Sequence, residues 1–259
     1  MKTHDSDKRI AIVSSSCPPL GGGGISSAHY NLYKVLKNIG YDVRIFTYGD
    51  HGVKQKEEKD IIRHGAPLLI VKIVRFAIWL YFKIREKSKV AYQFADILES
   101  AIGSIKINKS LIRFKPAILI LPDHDSPGFF IKKRKECTTV LISHHNPMRF
   151  INEPLWGNPS EKDARLALKI ENSALKKVDK VICPSLYMAD IFRKTYLFNG
   201  PISVIPNVVD EKLISSILLK DVRKYLGLPE DSVLIYIPSA GSILKGSSYV
   251  FEIVRRLAA

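Results

Sequence analysis

The 259-residue sequence contains little cysteine, no long uncharged apolar run and no low-complexity segment. Its three cysteines, Cys17, Cys137 and Cys183, are far apart and form no C-x-x-C pair. This argues against a disulfide framework and against a cysteine-based zinc site, and it is typical of proteins from a reducing compartment. We therefore expect a cytoplasmic location.

Segments that direct a chain into or across a membrane are not recognisable either. Residues 1–9 include acidic side chains and lead directly into a strand-like segment, so the apolar stretch of a secretory signal is missing. The longest apolar run, residues 66–82, is interrupted by Lys72 and Arg75. Since a charge at the centre of a spanning helix costs about 3 kcal/mol, we predict no transmembrane helix.

Positive charge is in large excess, with 40 Lys and Arg against 25 Asp and Glu and a net charge of +15. Hydrophobic residues make up 46% of the chain, which is enough for a sizeable core and excludes global disorder. The charge suits a nucleic acid, an anionic lipid surface or a phosphorylated small substrate. The basic residues concentrate in 72–115 and 132–135 without a recognisable nucleic-acid-binding motif, so we predict no nucleic-acid partner.

Short β-branched segments alternate with helical or turn-forming sequence along the chain. Residues 9–14 and 42–47 have the pattern of strands, and between them residues 26–39 carry apolar side chains at three- and four-residue steps, as a helix with one buried face does. Further strands are predicted at 117–121, 140–143, 178–183, 202–205 and 233–237. The alternation predicts an α/β fold with a doubly wound, Rossmann-like parallel sheet.

A domain boundary is predicted directly after the strand 202–205. We predict a first domain over residues 1–205 and the beginning of a second over 206–259, where a helix over 213–226 leads to the strand 233–237. About fifty residues are too few for an independent α/β domain, so we expect the second Rossmann-like domain to be incomplete in this chain.

The glycine tract, residues 21–24, lies between the first strand and the first helix. In that position backbone N–H groups can approach a phosphate closely, and the helix dipole favours an anion. The alternative is a plain flexible loop, which four glycines alone do not exclude. A dinucleotide fingerprint fits poorly because Ser26 replaces its third glycine, although Asp50 lies where a ribose-binding acid is expected.

Two polar clusters follow predicted strands. His144 and His145 come after one strand, and Asp123 and His124 come after another. Open α/β sheets bind their ligands at this end of the strands, where a histidine can act as a general base or contact a substrate hydroxyl. Each cluster alone is equally typical of a surface turn, but two on one edge favour a site.

Several segments together resemble the family 4 glycosyltransferases of the GT-B type, which have two Rossmann-like domains facing each other across a cleft. The segments are Pro18-Pro-Leu-Gly-Gly-Gly-Gly24 and residues 39–45, 174–185 and 202–210. In addition, Gly241-Ser-Ile-Leu-Lys-Gly246 lies where the family carries a Lys-Gly pair. The order and spacing of these segments match the family over essentially the whole chain.

The resemblance implies transfer of a sugar from a nucleotide-sugar donor to a glycan or glycolipid acceptor, with retention at the anomeric carbon, in cell-surface polysaccharide synthesis. It implies no metal and no other cofactor, because basic side chains and helix dipoles stabilise the departing diphosphate. It places the candidate residues in three groups: Gly22, Gly23, Gly24 and Lys245 at the donor phosphates, His144 or His145 at the donor sugar, and Asp123, His124, Asn207 and Asp210 on the acceptor side or in the cleft.

The sequence also departs from the family pattern. Ala240 replaces an arginine that usually precedes the Lys-Gly pair, and Val208 replaces a glycine. The paired-glutamate segment E-x7-E of the second domain is missing, since its spacing recurs only at Glu153 and Glu161 in the first domain, where we interpret it as coincidence. The alternative is therefore a catalytically incomplete N-terminal fragment that binds an acceptor or a membrane and needs a complementing C-terminal domain.

The apolar segment 68–82 allows two interpretations. As a surface helix it would present basic and aromatic side chains to a lipid interface, namely Lys72, Arg75, Lys83, Trp79, Tyr81 and Phe82. As a core helix it would bury its apolar side chains while the lysines reach solvent. The first interpretation leads to the hypothesis of peripheral binding to an anionic membrane, at the inner face of the plasma membrane.

Overall fold

The structure is a computed structural model with side chains, and it describes residues 8–53, 58–86, 92–150, 160–209, 221–237 and 246–257. The chain divides into two compact units, Met1–Asp210 and Glu211–Ala259. The domain boundary predicted between residues 205 and 206 remains a prediction.

A seven-stranded sheet forms the centre of the first unit, and every pair of neighbouring strands is parallel. The strands are β1 (Arg9–Ser14), β2 (Asp42–Thr47), β3 (Ile61–Arg63), β4 (Ile118–Pro122), β5 (Thr138–Ile142), β6 (Lys180–Cys183) and β7 (Ile202–Val204), in the spatial order β3-β2-β1-β4-β5-β6-β7. The strand order reverses between β1 and β4, and such a switch point is where doubly wound sheets bind ligands. The predicted Rossmann-like fold class is confirmed.

Helices cover the sheet and connect its strands. In the first unit they are α1 (Gly24–Asn38), α2 (Leu68–Glu86), α3 (Gln93–Phe114), α4 (Pro127–Phe130), α5 (Glu161–Leu175) and α6 (Leu186–Thr195), with a short 3-10 helix at Pro147–Phe150. The second unit contains α7 (Val222–Leu226) and α8 (Ser247–Leu257). Over the described ranges, none of these helices has the length and apolar character needed to cross a bilayer.

Alternate residues of the central strands supply two apolar layers. In β1, Ala11 and Val13 pack with Ile107 and Leu111 of α3 on one side of the sheet. Ile10 and Ile12 pack on the other side, where α1 contributes Tyr30, Leu32, Tyr33 and Leu36. Because both faces of the sheet are covered, its central strands are apolar at nearly every position, which is why they were recognisable in the sequence.

Two expectations about strands were not met. Strand β3 was missed, because three residues are too few to show a period. The strand predicted at Val233–Ile237 is wrong, since residues 232–237 are irregular. Val233 and Tyr236 are 84% and 88% exposed. No described strand pairs with this segment, so the sheet partners that a central parallel strand requires are missing from the described part of the chain.

Of the helix predicted at 213–226, the described end is helical as α7, and residues 213–220 lie outside the described residues.

Candidate functional site

The carboxyl ends of the parallel strands bring distant polar segments to one edge of the sheet. The segments after β1 and β2 touch directly, because the N–H of Gly49 donates to the carbonyl of Ser15 at 2.7 Å. A Cβ atom at Gly49 would lie 2.7 Å from the same oxygen, so only glycine fits this approach. The close contact places the loop after β2 beside the loop that follows β1. We call this second loop, residues 15–23, the glycine loop because it contains most of the glycine tract.

The glycine loop leads into an uncapped helix. Helix α1 begins at Gly24 after Gly23 as N-cap, no side chain in the described part of the chain caps it, and its first turn contains no acidic residue. Gly22, Gly23 and Gly24 are exposed. The N-cap and first turn of α1 therefore leave the positive end of its dipole available to an anion.

Ser26 ties the first turn of α1 to the end of β1. Its buried hydroxyl lies 3.3 Å from the hydroxyls of both Ser15 and Ser16. This serine cluster was not predicted, although three consecutive serines at the end of a strand were a visible signal. The cluster fixes where the glycine loop leaves the sheet.

Arg63 at the end of β3 is the second anchor of this loop. Its buried guanidinium donates to the carbonyls of Cys17 at 3.0 Å and Pro18 at 3.4 Å, and to the carboxylate of Asp50 at 3.0 Å. Burial opposes the charge, but the hydrogen bond and charge of Asp50 outweigh it and raise the pKa of Arg63. Asp50 also accepts from Thr47 at 2.7 Å, so its carboxylate is engaged inside the protein and does not support the dinucleotide interpretation.

Asp123, after β4, organises the histidine segment after β5. Its buried carboxylate accepts hydrogen bonds from the hydroxyl of Ser143 at 2.8 Å, from the backbone N–H of His144 at 3.1 Å and from that of His145 at 2.8 Å. The sequence placed Asp123 among the cleft residues. In the structure its carboxylate points at the backbone of the two histidines and holds their positions.

His144 is directed toward α1 and β7. Its Nε2 lies 2.8 Å from Oδ1 of Asn207, and its ring packs edge-on against the ring of His29, with the centroids 5.9 Å apart. These three residues line a cavity of about 70 Å³ whose other walls are mainly apolar.

His29 was missed by the sequence analysis because it lies within the amphipathic pattern of α1. It is 1% exposed, and neither ring nitrogen has a hydrogen-bond partner among the described residues. Burial, with a smaller effect of His144, lowers the pKa of His29 to about 3, so the ring is neutral. A histidine at a buried position of an amphipathic helix was the available signal.

His145 is directed to the opposite side, toward His124. The two rings are 5.2 Å apart and edge-on, and Nδ1 of His124 lies 2.9 Å from the carboxylate of Asp125. Burial disfavours the charged ring, but the hydrogen bond and charge of Asp125 outweigh it and raise the pKa of His124. A second cavity is lined by Asp96 and Glu171 together with His124, Asp125 and His145.

Asp96 joins this second cavity to α2. Its carboxylate accepts from Arg75 at 3.0 Å, yet burial, together with the charge of Asp125, raises the pKa of Asp96 to about 7. Glu171 is buried and accepts from the hydroxyl of Tyr196 at 2.6 Å. Burial raises the pKa of Glu171 well above its usual value. The cavity therefore holds acids that release protons much less readily than in water.

The structure thus places eight of the ten candidate residues at or beside one edge of the sheet, and it separates His144 from His145 by direction. The other two, Lys245 and Asp210, lie outside the described residues. Within the described ranges, no group of three or more His, Cys, Asp or Glu side chains is arranged to hold a metal ion.

Comparisons with known proteins agree with this architecture. The chain is similar in structure to sucrose-phosphate synthase from Thermosynechococcus elongatus, with a TM-score of 0.59 at 17% sequence identity. The match covers 86% of this chain and 53% of that one, so the chain spans about half the length of its structural relative. At this identity the likeness establishes the fold alone.

No curated protein matches the sequence significantly. The family model described as Glycosyltransferase Family 4 matches residues 22–213, well over half of the chain. The protein therefore belongs to glycosyltransferase family 4.

Proposed function

We propose that the protein takes part in transferring a sugar from a nucleotide-sugar donor to a glycan or lipid-linked acceptor, with retention at the anomeric carbon. The setting we propose is cell-surface polysaccharide synthesis at the inner face of the plasma membrane. The observation that carries the proposal is the family match together with one sheet edge that combines an uncapped helix N-terminus, a histidine pair and Asn207.

The donor diphosphate is assigned to the N-terminus of α1. A Cβ atom added to Gly23 or Gly24 would meet no atom of the described residues within 4 Å, which leaves space beside the helix end. Oriented N–H groups and the helix dipole can stabilise a departing diphosphate without a metal ion. By resemblance to the family, we also propose Lys245 as a donor-phosphate residue.

The donor sugar is assigned to His144 and Asn207. An amide oxygen only accepts hydrogen bonds, so the contact with Oδ1 of Asn207 requires a proton on Nε2 of His144. Such a pair offers a hydroxyl-rich ligand both a donor and an acceptor. His145 and His124, on the other side of Asp123, are assigned to the acceptor.

Saturation-transfer NMR of the purified chain with UDP-, GDP- and ADP-sugars tests the donor site. The matched variants are Gly24→Glu and Gly24→Gln, since both place a long side chain in open space but only the first adds a carboxylate. We expect the glutamate variant to lose diphosphate binding while its helix is stabilised by the same charge. Equal binding by both variants would contradict the assignment of the diphosphate to α1.

A second candidate function is a module that binds an acceptor or a membrane and transfers sugar only with a complementing C-terminal domain. It is favoured by the exposed apolar surface of α2. Acceptor or vesicle binding without any donor binding would select this candidate. We propose no nucleic-acid partner, and salt-sensitive retardation of DNA or RNA in a gel would contradict that.

A further inference from the structure

Helix α2 packs on the protein through a narrow stripe. Ile78 and Phe82 are buried with Ala95 of α3, and Val74 adds to the same cluster. These positions recur at four-residue steps, so they cover one side of the helix. Most of the other residues of this helix, which has 19 residues, are exposed.

The side opposite the buried stripe is apolar. Leu69, Ile73, Phe76, Leu80 and Ile84 follow one another at three- and four-residue steps and are between 40% and 70% exposed. We call these five residues the α2 strip. A contiguous apolar strip of this size is unusual on the surface of a protein that remains unbound in water.

Basic and aromatic side chains border the α2 strip. Nζ of Lys83 lies 4.5 Å from the ring centroid of Trp79, and Nζ of Lys162 lies 4.9 Å from that of Tyr81. Lys72 is exposed on the same side as Lys83. Residues 68–85 contain no acidic residue. Aromatic rings beside ammonium groups around an apolar centre match the layering of a bilayer interface, where acyl chains lie beneath anionic headgroups.

We propose that the α2 strip docks on the surface of an anionic bilayer, with the apolar side chains among the upper acyl chains and the lysines at the phosphates. The inference deepens the proposed function by naming the surface that would bring the protein to a lipid-linked acceptor. Arg75 of the same helix bonds Asp96, which lines the cavity of His124 and His145. Docking would therefore bring the membrane close to the part of the site that is assigned to the acceptor.

Charge argues for lipid against a second copy of the chain. A symmetric pairing of two α2 strips would bring Lys72 and Lys83 of both copies together, on molecules that each carry +15. Like charges facing each other destabilise such a pairing. Anionic headgroups neutralise the same lysines, so only the bilayer satisfies both the apolar and the charged part of the surface.

Vesicle flotation of the full chain tests the proposal, using phosphatidylcholine alone and phosphatidylcholine mixed with phosphatidylglycerol. We expect binding to the anionic vesicles only. The double variant Lys72→Gln/Lys83→Gln should lower partitioning about 25-fold, since each lysine near an anionic surface contributes roughly fivefold. The double variant Ile73→Ser/Phe76→Ser should lower it roughly tenfold or more at every salt concentration.

Matched controls keep the result specific. Lys169→Gln/Lys194→Gln removes two exposed lysines from α5 and α6, and Leu197→Ser removes an apolar side chain that is 87% exposed elsewhere. All control variants should bind vesicles like the unchanged chain. In a Trp156→Phe background Trp79 is the only tryptophan of the chain, and its emission should shift to shorter wavelength on binding.

Three outcomes would overturn the proposal: no vesicle binding by the folded chain, equal loss in the control variants, or a lipid-free dimer that Ile73→Ser/Phe76→Ser dissociates. Donor binding is measured by NMR on the same variants and should be unchanged. Loss of donor binding with vesicle binding intact would defeat the proposed function while leaving the docking surface standing.

Discussion

Nε2 of His144 and Oδ1 of Asn207 lie 2.8 Å apart, although the two residues are 63 positions apart in the sequence. The contact joins the segment after β5 to the segment after β7, across β6. The family resemblance had assigned these residues to different parts of the site. The hydrogen bond makes them one unit, so they should act on the same part of a ligand.

Replacing either member of this pair should affect recognition of the sugar. We expect His144→Ala and Asn207→Ala each to weaken nucleotide-sugar binding roughly three- to tenfold, the value of one hydrogen bond, while binding of the free nucleotide diphosphate is unchanged. The double variant should lose little more than the single ones, because the residues form one unit. Titration by NMR with both ligands measures this, and equal loss for both ligands would contradict the assignment.

Asp123 should contribute to the stability of the fold as well as to the positions of His144 and His145 in the site. In Asp123→Asn, an NH2 group faces N–H and O–H donors that the carboxylate now satisfies. We expect the free energy of unfolding to fall by about 2 to 4 kcal/mol, because buried donors lose their acceptors. Urea denaturation followed by circular dichroism measures the change. Asp190→Asn, at an exposed position of α6, is the matched control and should leave stability within about 0.5 kcal/mol.

His29 should make the protein sensitive to acid. Its pKa falls from 6.5 to about 3 on folding, so the unfolded chain takes up a proton that the folded protein refuses. This contribution to stability is complete above pH 6.5 and is lost as the pH falls toward 3, with a slope of up to about 1.4 kcal/mol per pH unit. We expect His29→Leu to flatten the curve in this interval. An unchanged pH dependence in denaturant titrations would count against a neutral buried ring.

Asp96 should make the protein less stable as the pH rises, which is the opposite of the pH dependence that His29 causes. Its pKa rises from 3.8 to about 7 on folding, so the folded protein keeps a proton that the unfolded chain releases. The contribution is complete below pH 3.8 and is lost as the pH rises through about 7. Asp96→Asn should therefore lose less stability than the unchanged protein between these pH values. Asp190→Asn should keep the original slope, and the same slope in Asp96→Asn would refute the prediction.

Gly103 gives a test of the packing of α3. A mid-helix glycine replaced by alanine usually stabilises a helix by about 1 kcal/mol. Here a Cβ atom would lie 2.0 Å from the carbonyl oxygen of Tyr48, which is backbone and cannot move aside. We expect Gly103→Ala to lower the free energy of unfolding by about 3 kcal/mol or more. Gly24→Ala, whose Cβ atom would meet no atom within 4 Å in the described structure, is the control, and thermal unfolding compares the two.

The sequence by itself determined the local architecture and the family. The β-branched runs of β1, β2 and β4 and the three- and four-residue steps of α1 are patterns within single segments, so they were readable without tertiary information. The glycine loop and the polar residues after β4 and β5 were readable for the same reason, because strand ends in a parallel sheet share one edge.

Tertiary structure alone decided how these residues are used. Arg63 became an anchor because β3 pairs with β2, and His29 became part of the site because it lines one cavity together with Ile142 of β5 and Ile182 of β6. Tertiary packing also decided between the two interpretations of residues 68–82 position by position. Phe82 is buried in the core, whereas Trp79 and Tyr81 are exposed. These outcomes depend on which strands and helices become neighbours. Contacts between segments far apart in the chain are selected by the packing of the whole core, and no local period in the sequence encodes them.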